Sequence, residues 1–253
     1  MKKIALLSAL VLLFSAALAG ADSLKGMSLN GSTGLISIPS GRIGWERTAD
    51  FGLDFGYHAV GVDQEAAHIP KASVSLFKML EVGGAYDIQQ GTDSNDILLH
   101  GKLQLPIQRN TAVAVGGNVQ MLKGPEDNAQ QIYIAATYPG TFFKMPAETT
   151  FVVGKTLDRD GIDFGMGFDL SLFPEVFQGY VHWINDFSNF SYSVQPVGAE
   201  AGNRGVFNTG IRIDLAEIPE LSRFKFALDA LMTDALDSNR SFSLGVAFGV
   251  SVQ

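Results

Sequence analysis

The last thirteen residues, Ser241 to Gln253, alternate without a break. Phe242, Leu244, Val246, Phe248, Val250 and Val252 fall on one face of an extended chain, and Ser241, Ser243, Gly245, Ala247, Gly249, Ser251 and Gln253 fall on the other. The apolar face is bulky. The opposite face is small and weakly polar instead of charged. That combination suits a strand of a transmembrane barrel, greasy toward lipid and small toward a crowded or watery interior. It equally suits a core strand of a soluble sandwich, so the remaining segments have to separate the two.

The period of two recurs along the chain. Ala49, Phe51, Leu53, Phe55 and Tyr57 alternate with Asp50, Gly52, Asp54, Gly56 and His58. Leu80 to Ile88 alternates with Glu81, Gly83, Ala85 and Asp87, and Ile97 to Leu105 with Leu98, His100, Lys102 and Gln104. Val113 to Met121 is interleaved by Ala112, Ala114, Gly116, Asn118 and Gln120. Ile162 to Leu172 alternates with Asp163, Gly165, Gly167, Asp169 and Ser171, and Phe177 to Trp183 with Gln178, Tyr180 and His182. Phe207 to Ile213 alternates with Asn208, Gly210, Arg212 and Asp214, and Phe224 to Ala230 with Lys225, Ala227 and Asp229. With further runs at 72–76, 132–138 and 149–155, this predicts about twelve strands, an even number as in single-chain outer-membrane barrels. Short connections at 78–79, 106–110 and 173–175 oppose longer ones at 59–70, 89–95, 123–128, 188–204 and 233–240, the asymmetry of such barrels. Pro139 to Ala147 is long for a turn, and Thr156 to Gly161 is short for an external loop.

The N-terminus points to export. Met1-Lys2-Lys3 precedes an apolar run from Ile4 to Ala17 and small residues through Ala21, the layout of a secretory signal peptide over residues 1–21. After it no apolar run reaches the ~18 residues of a membrane helix. A mature chain in a membrane must then be a closed barrel, because only helices and barrels satisfy every backbone group in lipid. The expected fold class is an all-β transmembrane antiparallel up-and-down barrel over residues 48–253, in the outer membrane of a diderm bacterium. Residues 22–47 are left as an N-terminal segment, a plug or a rim turn.

The inward set carries Asp50, Asp54, Glu81, Asp87, Asp163, Asp169, Asp214 and Asp229 against Lys102, Arg212 and Lys225, with His58, His100 and His182 near neutral. A sandwich could not bury so many carboxylates unpaired, although its outer faces could expose them. The strand number and the Phe-rich outward faces favour the membrane barrel. These charges, with Asn118, Gln120 and Asn208, are the expected pore lining.

Asn30 to Gly41 reads Asn-Gly-Ser-Thr-Gly-Leu-Ile-Ser-Ile-Pro-Ser-Gly, turn signals around a short apolar centre. Through Gly31, Thr33, Gly34, Leu35, Ile36 and Pro39 the stretch resembles the N-terminal G-x-T-G-L-I-x-x-P motif of YjbH-like outer-membrane barrel proteins. The resemblance implies a barrel and a link to exopolysaccharide production. The physical reading of the motif is a tight turn packed into the barrel mouth.

Catalytic and metal motifs are not assembled. Gly-x-Ser-x-Gly is absent, Asp158, Asp160 and Asp163 lack the spacing and terminal Glu of an EF-hand, and Thr149 replaces the first glycine of a phosphate loop ending in Gly154-Lys155-Thr156. With no cysteine, disulfides and thiolate chemistry are excluded. The formal charge of -8, without basic clusters, argues against nucleic acid as a partner. A barrel phospholipase is the competing enzymatic class, and a serine within reach of a histidine would mark it. The expectation is no enzyme and no cofactor, with outer-membrane lipid, the barrel-assembly machinery, and small solutes or polysaccharide as partners. Two functions remain: a small-solute channel with an acidic lumen, or an envelope or exopolysaccharide export component with a plugged barrel. About twelve strands lie between small filled barrels and open porins, so the bore is not fixed by strand number.

Overall fold

The strands pair in chain order and close on themselves. In the computed structural model they are β1 (Phe51–Val62), β2 (Glu65–Leu76), β3 (Leu80–Gln89), β4 (Asn95–Gln104), β5 (Ala112–Met121), β6 (Ala129–Phe142), β7 (Met145–Thr156), β8 (Asp163–Ser171), β9 (Val181–Ser188), β10 (Val206–Asp214), β11 (Phe224–Thr233) and β12 (Ser241–Val252). Each pairs antiparallel with its neighbours, and β12 returns to β1 to close the barrel. Closure leaves no sheet edge along the wall, which a strand in lipid requires. The structure describes residues 26–46, 49–62, 65–90, 95–107, 110–121, 128–157, 160–190, 205–215, 224–238 and 240–252. The expected signal peptide, Asp158 and most of the 188–204 loop lie outside them.

Alternation sets two faces. Outward, Phe55, Ile132, Ile134, Val153 and Leu244 each remain more than half exposed. In water that surface would be penalised at roughly 25 cal/mol per Å². Spread around a closed wall, it is the lipid-facing surface of a membrane-spanning barrel. Inward, Gly52, Asp54, His58 and Val60 of β1 and Ser241, Ser243, Ala247 and Gly249 of β12 are buried, so the period read from Ser241 to Val252 is the one the structure uses.

Residues 26–46 lie inside this wall, and all of them are buried. Two isolated bridges, Met27 with Thr33 and Gly34 with Pro39, fold the stretch into nested turns. Gly31 sits at φ 94°, a conformation that favours glycine. Leu29, Leu35, Ile36 and Ile38 pack against inward-facing Val60, Ile69, Leu98, Val152, Ile184 and Leu231. The barrel therefore has an apolar core of its own, between its wall and this inner segment.

Element boundaries also differ from expectation. Residues 59–70 are mostly strand, and β1 and β2 pair as far as Val62 with Glu65. Pro139 to Ala147 is no long turn. β6 and β7 stay paired to Phe142–Met145, and Phe143-Lys144 alone makes the turn. Phe177 to Tyr180 is no strand: Pro174–Phe177 forms the single-turn helix α1, between Phe173 and Gln178 in left-handed conformation.

Candidate functional site: the charged wall and the segment it encloses

An irregular segment enclosed by protein has backbone donors and acceptors that water does not reach, and each needs a partner. The charged wall supplies them. Carboxylates take the N–H groups of the inner segment, and cations take its carbonyls.

Glu81 on β3 and Lys102 on β4 are direct cross-strand partners. Glu81 accepts from Thr33 N at 2.8 Å, Thr33 Oγ1 at 2.6 Å and Gly44 N at 3.0 Å. Lys102 Nζ donates to the Thr33 carbonyl at 2.8 Å and lies 3.3 Å from Glu81. One ion pair thus clasps both sides of a single residue. His100 Nε2 stands 3.7 Å from the same carboxylate.

Asp186 on β9 gathers three consecutive backbone donors, Ile36 at 2.9 Å, Ser37 at 2.7 Å and Ile38 at 3.2 Å. Ser37 Oγ and Asn208 Nδ2 donate to its other oxygen. Successive N–H groups converging on one carboxylate form an anion nest, occupied here by the wall.

On the next strands, β10 and β11, Arg212 holds Asp229 with two hydrogen bonds, of 2.8 and 3.0 Å, and donates to the carbonyls of Gly34 and Leu35 at 3.2 and 3.4 Å. His58 meets the same Asp229 at 3.2 Å. Lys71 caps the Ser28 carbonyl at 2.7 Å, and Thr137 Oγ1 accepts from Gly41 N at 2.9 Å. Lower on the segment, Arg42 pairs with Glu148 at 2.6 Å and Glu46 at 2.8 Å. Burial works against the Arg42 charge, but the two carboxylates outweigh it and raise its pKa. Trp45 Nε1 donates to Asp54 at 3.1 Å, while Lys225 lies over the Trp45 ring at 4.2 Å and donates to the Gly44 carbonyl. The contacts come from β1–β4, β6, β7 and β9–β11, so the segment is held from nearly every side.

Some inward glycines give their space to this segment. A Cβ on Gly52 would come within 2.1 Å of the Trp45 ring, and one on Gly167 within 2.6 Å of Leu35.

Most expected lining residues are inward, in two groups. Asp54, His58, Glu81, His100, Lys102, Asn208, Arg212, Lys225 and Asp229 surround the inner segment. Asp163, Asn118 and Gln120 belong to hydrogen-bond chains toward the loop end. There Asn118 donates to Gln131, Gln131 and Thr156 donate to Asp163, and Gln120 donates to Asp96. Asp87 and Asp214 are buried on the inward side. His182 is part-buried at the turn end and meets Asp169 at 2.5 Å and the Gly179 carbonyl at 2.8 Å. Asp50 is a correction. It precedes the first paired residue of β1, its side chain is 79% exposed, and it sits 3.5 Å from Lys78 on the rim. Gly31, Thr33, Gly34, Leu35, Ile36 and Pro39 are all buried within the enclosed segment.

Sequence reasoning missed Lys71, Glu148 and Asp186, and all three touch the segment. Among the described residues, histidine side chains meet Asp229, Glu81, Asp169, the Gly179 carbonyl, Tyr57 and Gln90, and no serine.

No family model matches the chain, and no curated protein matches it. Solved structures do. The KdgM porin superposes with a TM-score of 0.53 at 8% identity, over 79% of this chain and 99% of its own. The NanC porin gives 0.53 at 7% identity, over 79% and 100%. The Acinetobacter baumannii outer membrane protein Omp33 gives 0.50 at 10% identity, over 81% and 98%. At such identities the likeness concerns the fold: this chain has the twelve-stranded fold of outer-membrane porins.

Proposed function

We propose that the protein is an outer-membrane small-solute channel whose lumen is closed at rest by residues 26–46, acting as a plug. The observation that carries this reading is the burial of that whole segment against inward faces all round the barrel. The porin fold supports a channel, and the wall charges explain how a plug can be seated without orphaned backbone groups. Solute passes when the plug shifts. Carboxylates outnumber cations on the inward face, so the opened bore favours cations and neutral solutes over anions. Swelling of protein-loaded liposomes in a neutral sugar tests this. The full chain should swell slowly and a chain lacking 26–46 quickly; slow swelling by both would count against a bore behind the plug.

A second reading has one observation of its own. The residues that resemble the YjbH-like motif, Gly31 to Pro39, include those held by the wall carboxylates Glu81 and Asp186. In an exopolysaccharide export component the plug would stay seated without a partner. A full-length protein that never opens at any voltage would favour that role.

A further inference from the structure

A cavity of about 370 Å³ opens at the short-turn end, the periplasmic one in barrels of this kind. It lies between the β2–β3 turn, the start of the β4–β5 connection and the lower end of the inner segment. Pro106 has no N–H with which to continue the ladder beyond β4. Ile107 N donates instead to the Leu105 carbonyl at 2.8 Å, closing a three-residue turn. Leu105 and Ile107, with Phe77 and Met79 of the other turn, make the apolar part of the lining. Phe77 is 71% exposed, so its ring is open to an occupant.

The polar part is short of donors. Glu46, buried, accepts from Arg42 Nη1 at 2.8 Å and from Gln104 Nε2 at 2.6 Å. Arg42 spends its Nε and Nη2 on Glu148 and the Asn110 carbonyl. Gln104 Oε1 is buried and accepts from no group among the described residues. A buried acceptor left without a donor is costly. Charge runs the same way, since Arg42 and Lys78 stand against Glu46, Glu148 and Asp50.

These features select an occupant. The carboxylate excess repels an anion, and an uncharged apolar solute leaves Gln104 Oε1 unanswered. A guanidinium or ammonium group brings donors for Gln104 and charge for Glu46. Its stem can lie along Met79, Leu105 and Ile107, and its charge over the face of Phe77. Arg42 already shows a guanidinium held by the same Glu46.

We propose that this cavity binds an organic cation, a guanidinium or primary ammonium group carried on a short apolar stem. This names the solute class of the channel proposed above and rests on that reading, because a cation crossing the bore meets the cavity at its periplasmic end.

The absence of cysteine allows one reporter thiol. Ile107→Cys places it in the lining, and Gly140→Cys, where a Cβ meets nothing within 4 Å, serves as the control. Modification by N-ethylmaleimide, a neutral reagent, is timed on the full protein in detergent. Butylguanidinium should slow it several-fold and saturably at Ile107→Cys, and leave Gly140→Cys unaffected. Butyrate and butanol should protect neither. Gln104→Leu should abolish the protection. Phe77→Ala, on the exposed rim, should weaken it several-fold in a barrel that still shifts on gels after boiling. No protection by butylguanidinium overturns the proposal, as does equal protection by butyrate or butanol, or protection untouched by Phe77→Ala. The measurement needs no current. A barrel that never conducts would sink the channel reading and leave this occupancy measurable, whereas a conducting barrel without protection at Ile107→Cys would sink the site alone.

Discussion

Arg212 on β10 and Asp229 on β11 face each other in the strand register, joined by two hydrogen bonds, while the same guanidinium reaches the Gly34 and Leu35 carbonyls. A wall ion pair and the seat of the inner segment are thus one structure. Removing one member of a buried pair leaves the other uncompensated, at a cost of about 3–5 kcal/mol. Asp229→Asn should lower barrel stability in detergent by an amount of that order, read from urea unfolding. Replacing both residues with apolar ones of similar size should cost less than the sum of the single changes. A double variant as unstable as that sum would place the effect elsewhere.

Asp186 offers the sharper test of the seat, because one of its oxygens holds three consecutive N–H groups while the other takes Ser37 Oγ and Asn208. Asp186→Ala orphans those donors, at roughly 1–3 kcal/mol each where water does not replace the carboxylate. The wall ladder through β9 should survive, so the barrel should keep its shift on boiling. The segment should loosen, giving more frequent channel openings and faster cleavage within 26–46 by an added protease. Unchanged protection would mean that Asp186 does not hold it.

Trp45 reports on the lower end. It is buried beside Gly52, Asp54 and Lys225. Gly52→Ala puts a Cβ where the indole lies and should push Trp45 toward water, shifting its emission to the red. The measurement belongs in a Trp183→Phe background, since the chain has only these two tryptophans. An unshifted emission would contradict the close approach.

The barrel was legible because lipid imposes a two-residue period on every spanning strand, as in Ser241 to Val252 and Ala112 to Met121. Lys71 and Glu148 were missed because Pro70 and Pro146 interrupt the pattern beside them and made strand interiors read as connections. Asp186 was hidden by Ile184, an apolar residue that faces inward toward the segment instead of lipid. Asp50 erred the other way, because the alternation was carried past the first paired residue. The seat of 26–46 left only turn signals in the sequence. Its partners, such as Glu81 and Asp186, lie far along the chain, and local pattern does not encode them.

The central claim is that residues 26–46 close an otherwise conducting bore. Conductance of the purified barrel in a planar bilayer tests it most directly, comparing the full chain with one lacking those residues. The account predicts a full-length protein that is closed most of the time, and a deletion that conducts steadily and prefers cations. Equal, steady conductance from both proteins would contradict it.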